Sequence, residues 1–218
     1  MYMNKELAKI QHYYMPDFPG QAFAWGNAKI PMSTLIVNIT SALHGPCKRL
    51  GTCRVINCCY ASKCERIYPY YLRKNLFIEE WLYQTRTHDI IELMSAYIRY
   101  APVKITCIRL NEAGDFINQN QIAQWNKIAK YFWKTYGITT YTYTARIDLD
   151  FTVAPYIILN GSVPGISGAI RTYICVSKDV YNSTPSANGI YKCPGDCKIC
   201  HLCSSSKFRG GTIIVGKH

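Results

Sequence analysis

The period of the apolar positions changes several times along the chain, and each change marks an element. Residues 4–13 have the spacing of a short helix, which Pro16, Pro19 and Gly20 would end. Residues 23–31 show no period and read as irregular. The β-branched run Ser33-Thr-Leu-Ile-Val-Asn-Ile-Thr40 predicts the first strand. A polar loop follows from His44 to about Glu65. Helical spacing then holds over 70–84 and resumes over 88–100, where Ile90, Ile91, Leu93, Met94 and Ile98 recur until Pro102 stops it. Val103–Leu110 predicts a second strand, and Gln121–Tyr136 a helix whose stripe is Ile122, Trp125, Ile128, Ala129, Phe132 and Tyr136. These aromatics read as core, not as a stacking platform. Gly137 suits the end of that helix. Further strands are expected at 138–144, 156–159, 171–176 and 212–215.

Strands separated by helices imply right-handed crossovers and a largely parallel sheet. The expected class is therefore α/β. In such sheets ligands sit beyond the carboxyl ends of the strands. Those ends hold the 47–64 loop, Asn111–Asp115, Thr144–Arg146, Asn160-Gly161 and Ser177-Lys178, where polar and thiol residues concentrate. No repeat, low-complexity tract or linker divides the 218 residues, so one domain is expected, with residues 1–32 as an N-terminal extension.

Apolar residues make up 49% of the chain, enough for a core that needs no covalent staples. The N-terminus lacks an apolar leader and no run approaches spanning length, so an intracellular protein without membrane attachment is expected. In a reducing compartment, eleven cysteines argue for metal ligation over disulfides. The formal charge of +12 permits nucleic-acid binding but equally describes a generic basic surface, since no dense Lys/Arg block is present.

The sharpest signal is Cys193-Pro-Gly-Asp-Cys197-Lys-Ile-Cys200-His-Leu-Cys203. Four thiols within eleven residues, spaced C-x3-C-x2-C-x2-C, suit a soft metal. The bunching, which read backwards is the bacterial ferredoxin spacing, favours an iron–sulfur centre over zinc, which takes ligands from two directions. A second group, Cys47, Cys53, Cys58, Cys59 and Cys64, follows the first strand. Cys47, Cys53 and Cys59 are its candidate ligands, because the adjacent Cys58 and Cys59 rarely both face one metal. One member of this group is expected to reach the centre held by the C-terminal run, or each group to hold its own centre nearby, with Asp115 facing the same cavity. Cys107 and Cys175 read as core, and His201 is the one histidine placed like a ligand. Arg109, Asp115 and Thr144 are candidate pocket residues. Equally, Asp115 or Asn118 simply caps the next helix, and Arg109 pairs with a carboxylate.

Cys59-Tyr-Ala, Arg109 with Gly114-Asp115-Phe116, the Tyr143-Thr144 strand end and the C-terminal cysteine run together resemble the phage gene product 88 family, over about residues 23 to 218. The resemblance implies a phage protein acting in the host cytoplasm. It also implies a fold like a reduced radical-SAM barrel, a partial (β/α) barrel whose cysteine loop holds a [4Fe–4S] cluster. In this chain the C-x3-C-x2-C spacing stands near the C-terminus, and Asn111-Glu-Ala-Gly-Asp115 stands where such barrels carry Gly-Gly-Glu. The competing reading is a zinc-stabilised, non-catalytic module that binds nucleic acid or a host protein.

Overall fold

The computed structural model describes residues 3–18, 20–47 and 59–216. Among these, eight strands form one open sheet in the order β1-β2-β3-β4-β5-β6-β8-β7. They are β1 (Ala24–Trp25), β2 (Thr34–Val37), β3 (Cys107–Leu110), β4 (Thr139–Thr144), β5 (Ile157–Gly161), β6 (Arg171–Val176), β7 (Ile190–Lys192) and β8 (Thr212–Gly216). Every ladder is parallel except β1 with β2. The sheet has two edges, β1 and β7, and is not closed into a barrel.

The helices are α1 (Lys5–Tyr14), α2 (Tyr60–Ile67), α3 (Pro69–Gln84), α4 (Thr87–Arg99), α5 (Gln119–Tyr136) and α6 (Lys178–Ser183). Local chemistry sets their ends. The Asn4 side chain accepts from the Glu6 and Leu7 amides, and Pro69 opens α3, where a missing N–H costs nothing. Asn118, not Asp115, caps α5 by accepting from the Gln121 amide at 3.0 Å. At the other end Gly137 sits at φ 66°, left-handed backbone that glycine takes freely. Two expectations shift. The 44–65 loop gives way at Tyr60 to α2, and the first strand is trimmed to Thr34–Val37.

Successive parallel strands joined by crossovers of one hand put their helices on one side. That side is the hydrophobic core, where Leu35, Val37, Ile108, Leu110 and Leu159 meet Ile90, Leu93, Ile122, Trp125, Ile128 and Phe132. The segment expected as an extension is part of it: Leu7, Met15, Phe18, Ala22 and Phe23 are buried there. No helix among the described residues is long and apolar enough to cross a membrane.

Paired residues of a sheet share a face, and alternate residues share it along a strand. The face away from the core therefore carries Ile36, Arg109, Tyr141 and Ile158 in one row, and Tyr143, Asn160 and Arg171 in the next. Cys107, Tyr173 and Cys175 lie on the same face by alternation. The 202–204 turn, in the chain between β7 and β8, packs on β4 and β5.

Candidate thiol site on the uncovered sheet face

The 193–205 segment is tied down by groups from distant strands. Its entry is anchored by the Cys193 amide donating to Ile214 O (2.8 Å) and by Tyr181 Oη donating to Cys193 O (2.8 Å). The Cys197 amide donates to Lys29 O at 2.9 Å, so the loop reaches the β1 side of the sheet. Asn160 Nδ2 donates to Cys203 O at 3.1 Å, and Arg171 donates to the carbonyls of Leu202 and Ser205. A strand asparagine and a strand arginine thus replace the ladder partners that this irregular backbone lacks. Pro194 and Gly195 make the first bend, with Gly195 at φ 76° and open space around it.

Cys197 feels Cys193 and Cys200, and Cys203 feels Cys193 and Cys197. Burial pushes the Cys203 thiol up to about 11, against the lowering hydrogen bond to Tyr143, and Cys193 and Cys197 push it further. Burial also raises Cys197, Arg109 opposes this, and Cys193 and Cys200 add to it. Tyr173 is raised by burial and by Cys193 and Cys203. Raised in this way, Cys197 and Cys203 favour their protonated forms. Among the described residues no three His, Cys, Asp or Glu side chains already stand at metal-holding distances. Ligation would have to draw the four sulfurs together. The donor set itself suits a soft metal. His201 is exposed at the start of the short 3-10 turn 202–204.

Beneath the loop lies Arg109. Its guanidinium sits 5.1 Å from the Tyr143 ring centroid, its Nε is buried without a partner, and Cys197 is within electrostatic reach. The expected carboxylate partner does not form: among the described residues no ion pair includes Arg109. Arg171 likewise has a buried, unpartnered Nε. Cationic side chains are seldom left this way, because a desolvated charge needs a counter-charge.

Of the first-strand thiols, the described Cys47 and Cys59 have other neighbours. Cys47 is buried, and its thiol is raised by burial, then by Asp115, Cys59 and Glu65. It thus sits at the carboxyl ends of β2–β4. Cys59 caps α2, its Sγ accepting from the Ser62 amide at 3.4 Å. Cys53 and Cys58 lie outside the described residues. Glu65 accepts from Ser41 Oγ, the Ala42 and Leu43 amides and Asn75 Nδ2, at 2.8–3.0 Å, and so builds the turn after β2.

Asp115 is consumed by structure. It accepts from Thr144 Oγ1 (2.7 Å), the Ala145 amide (2.8 Å) and the Phe116 amide (2.8 Å). Its own amide donates to Thr40 Oγ1 at 2.8 Å, and that hydroxyl donates to Asp115 O at 2.7 Å. Gly114 makes this clasp possible, since a Cβ there would stand 2.2 Å from Thr40 Oγ1. Arg146 donates to Asp148 and to the carbonyls of Phe116 and Ile117. The three pocket candidates therefore divide: Asp115 and Thr144 brace the strand ends, while Arg109 faces the C-terminal thiols. Asp115 keeps company with Cys47, not with the C-terminal run. Tyr143, Asn160, Arg171 and Tyr173 were missed, since only the register puts them under the loop; strand alternation from Arg109 was the available clue.

No curated protein and no solved structure matches this chain. The family model described as Gene product 88 matches residues 18–165, which include the Cys47 group, Arg109, Asp115 and Thr144 and stop short of the cysteine run. That match spans well over half of the sequence, and the protein belongs to the phage gene product 88 family.

Proposed function

We propose that this phage protein binds an iron–sulfur cluster, of the [4Fe–4S] type, through Cys193, Cys197, Cys200 and Cys203. The observation that carries the reading is the pairing of four crowded thiols with Arg109, a guanidinium with no carboxylate partner among the described residues. A metal held by several thiolates is a net anion. Its arrival requires thiolates, against the raised thiols of Cys197 and Cys203, and would add negative charge above Arg109, which otherwise feels Glu112 only from a distance. The same logic makes loading pH-dependent: protons must leave the thiols, so affinity rises with pH. The proposal stops at cluster binding. The segment after β3, where a radical-SAM barrel would hold a methionine amine, is here spent on the Thr40–Asp115 clasp.

The test is anaerobic purification with iron, sulfide and zinc quantified. Iron and sulfide in matched amounts, lost in Cys197→Ser and Cys200→Ser but kept in Cys107→Ser, support the reading. A colourless protein with stoichiometric zinc would instead make the loop a structural zinc site, and full metal retention in both serine variants would sink either version.

A further inference from the structure

The corner between α2 and α3, which follows directly on Cys59, is exposed. Tyr60, Lys63 and Ile67 recur at three and four residues and so share one face of α2. Tyr60 is 72% exposed, Ile67 55% and Tyr68 61%, large apolar surfaces left open among the described residues. Tyr68 lies at the break between the helices, its amide closing α2 on Cys64 O at 2.9 Å, and it is near enough to Tyr60 to be felt at its hydroxyl. Exposed cations outnumber acids along this stretch. Residues 60–73 carry Lys63, Arg66 and Arg73, all exposed, and a single acid, Glu65, which is buried and saturated with hydrogen bonds. None of the three cations forms an ion pair among the described residues. Glu112, whose charge reaches Tyr60, is hydrogen-bonded by Asn27.

We infer that this corner is a binding site for single-stranded nucleic acid, with Tyr60 and Tyr68 stacking on unpaired bases and Lys63, Arg66 and Arg73 meeting phosphates. Exposed rings stack on any base face, and unpaired cations beside them draw the backbone. The rings are mounted on a convex helical corner, which unstacked bases can reach but the stacked interior of a duplex cannot offer. The positive charge of the whole chain adds attraction at a distance without choosing a site. This inference is independent of the thiol loop.

The test uses the full chain and a fluorescein-labelled single-stranded oligo-dT, read by anisotropy at about 50 mM salt and then across a salt series. Tyr60→Ala and Tyr68→Ala should each weaken binding roughly tenfold. Lys63→Ala with Arg66→Ala should flatten the log–log salt slope by about 1.4. Lys127→Ala with Lys134→Ala, an equal charge change on α5, should leave both unchanged. Unlabelled duplex should compete poorly. The site is overturned if the α5 pair weakens binding as much as the corner pair, if duplex competes equally, or if oligo-dT does not bind. It is also overturned if the tyrosine variants abolish self-association in sedimentation and leave oligonucleotide binding intact, since the corner would then be a contact between copies. Circular dichroism and metal content equal to the unsubstituted protein show that the variants report on this corner alone.

Discussion

The two faces of the sheet obey different rules. On the helical face Ile108 and Leu110 look out on Ile122, Trp125 and Phe132, and each contact is apolar and closed. One residue along the same strand, Arg109 looks the other way, onto tyrosines and thiols, with a polar atom left unpaired. The first face is almost wholly apolar, with Thr140 Oγ1 its one strand hydroxyl buried without a partner among the described residues. The second has hydrogen-bond capacity, cationic charge and sulfur in excess of what the chain itself uses. It is on this face that we propose the metal centre is held.

If that contrast is right, the largest stability losses come from the closed face and leave metal content alone. Trp125 is 1% exposed and is the largest fully buried side chain of the core. Trp125→Ala should cost about 3–5 kcal/mol in urea unfolding. Metal per folded molecule should not change. A loss of metal in the folded fraction would mean that the two faces are coupled and the contrast is false.

Asp115 at the shared rim comes next. Burial raises its carboxyl from 3.8 to about 6, against the hydrogen bonds from Ala145, Thr144 and Phe116. A carboxyl raised in the folded state binds more protons folded than unfolded between those two values. Its contribution therefore makes stability fall as pH rises from about 4 to about 6, and level off above, by about 3 kcal/mol at most. Asp115→Asn should remove that slope. An unchanged pH profile in the variant would show that the carboxylate is held ionised by its three donors.

How much of this was legible beforehand follows from what is local. The periods over 70–84, 88–100 and 121–136 find α3, α4 and α5, because an amphipathic stripe needs no knowledge of its partner. The helix α2 was hidden since its cap is a cysteine and its one buried acid, Glu65, serves the β2 turn. Strand β7 was missed because three residues pairing at an edge carry no period of their own. The cysteine run was visible as a motif, but its seat was not. That depends on Arg171 and Asn160 reaching carbonyls more than thirty residues away. In place of the partial barrel implied by the resemblance stands an open sheet, and the described thiols of the two groups have different charged neighbours, Asp115 beside Cys47 and Arg109 beside Cys197.

A smaller effect tests the charge argument directly. Arg109→Met keeps the length of the side chain and its contact with Tyr143 while removing the charge. In the metal-free protein it should be neutral or slightly stabilising, because a desolvated cation is gone. In the loaded protein metal affinity should fall about tenfold, or ~1.4 kcal/mol, by chelator competition. Equal affinity in the two proteins would remove the reason for placing an anionic centre above Arg109.

The smallest effect compares one kind of strain on the two faces. Gly137 after α5 and Gly195 in the thiol loop have φ of 66° and 76°, and an added Cβ at either meets nothing within 4 Å. Alanine at both positions therefore carries only backbone strain, about 1–2 kcal/mol. At Gly137 the helix end is locked to the core through Ile138, whose amide donates to Phe132 O, so the strain should appear in full in global unfolding. At Gly195 the loop can open locally while the sheet stays folded, which confines the cost to the sub-global step. Gly195→Ala should thus leave the metal-free urea midpoint almost unmoved, speed amide exchange across 193–205 and weaken metal binding. Matching losses of global stability in both variants would mean that the loop unfolds only with the sheet. The polar face would then be as closed as the helical one.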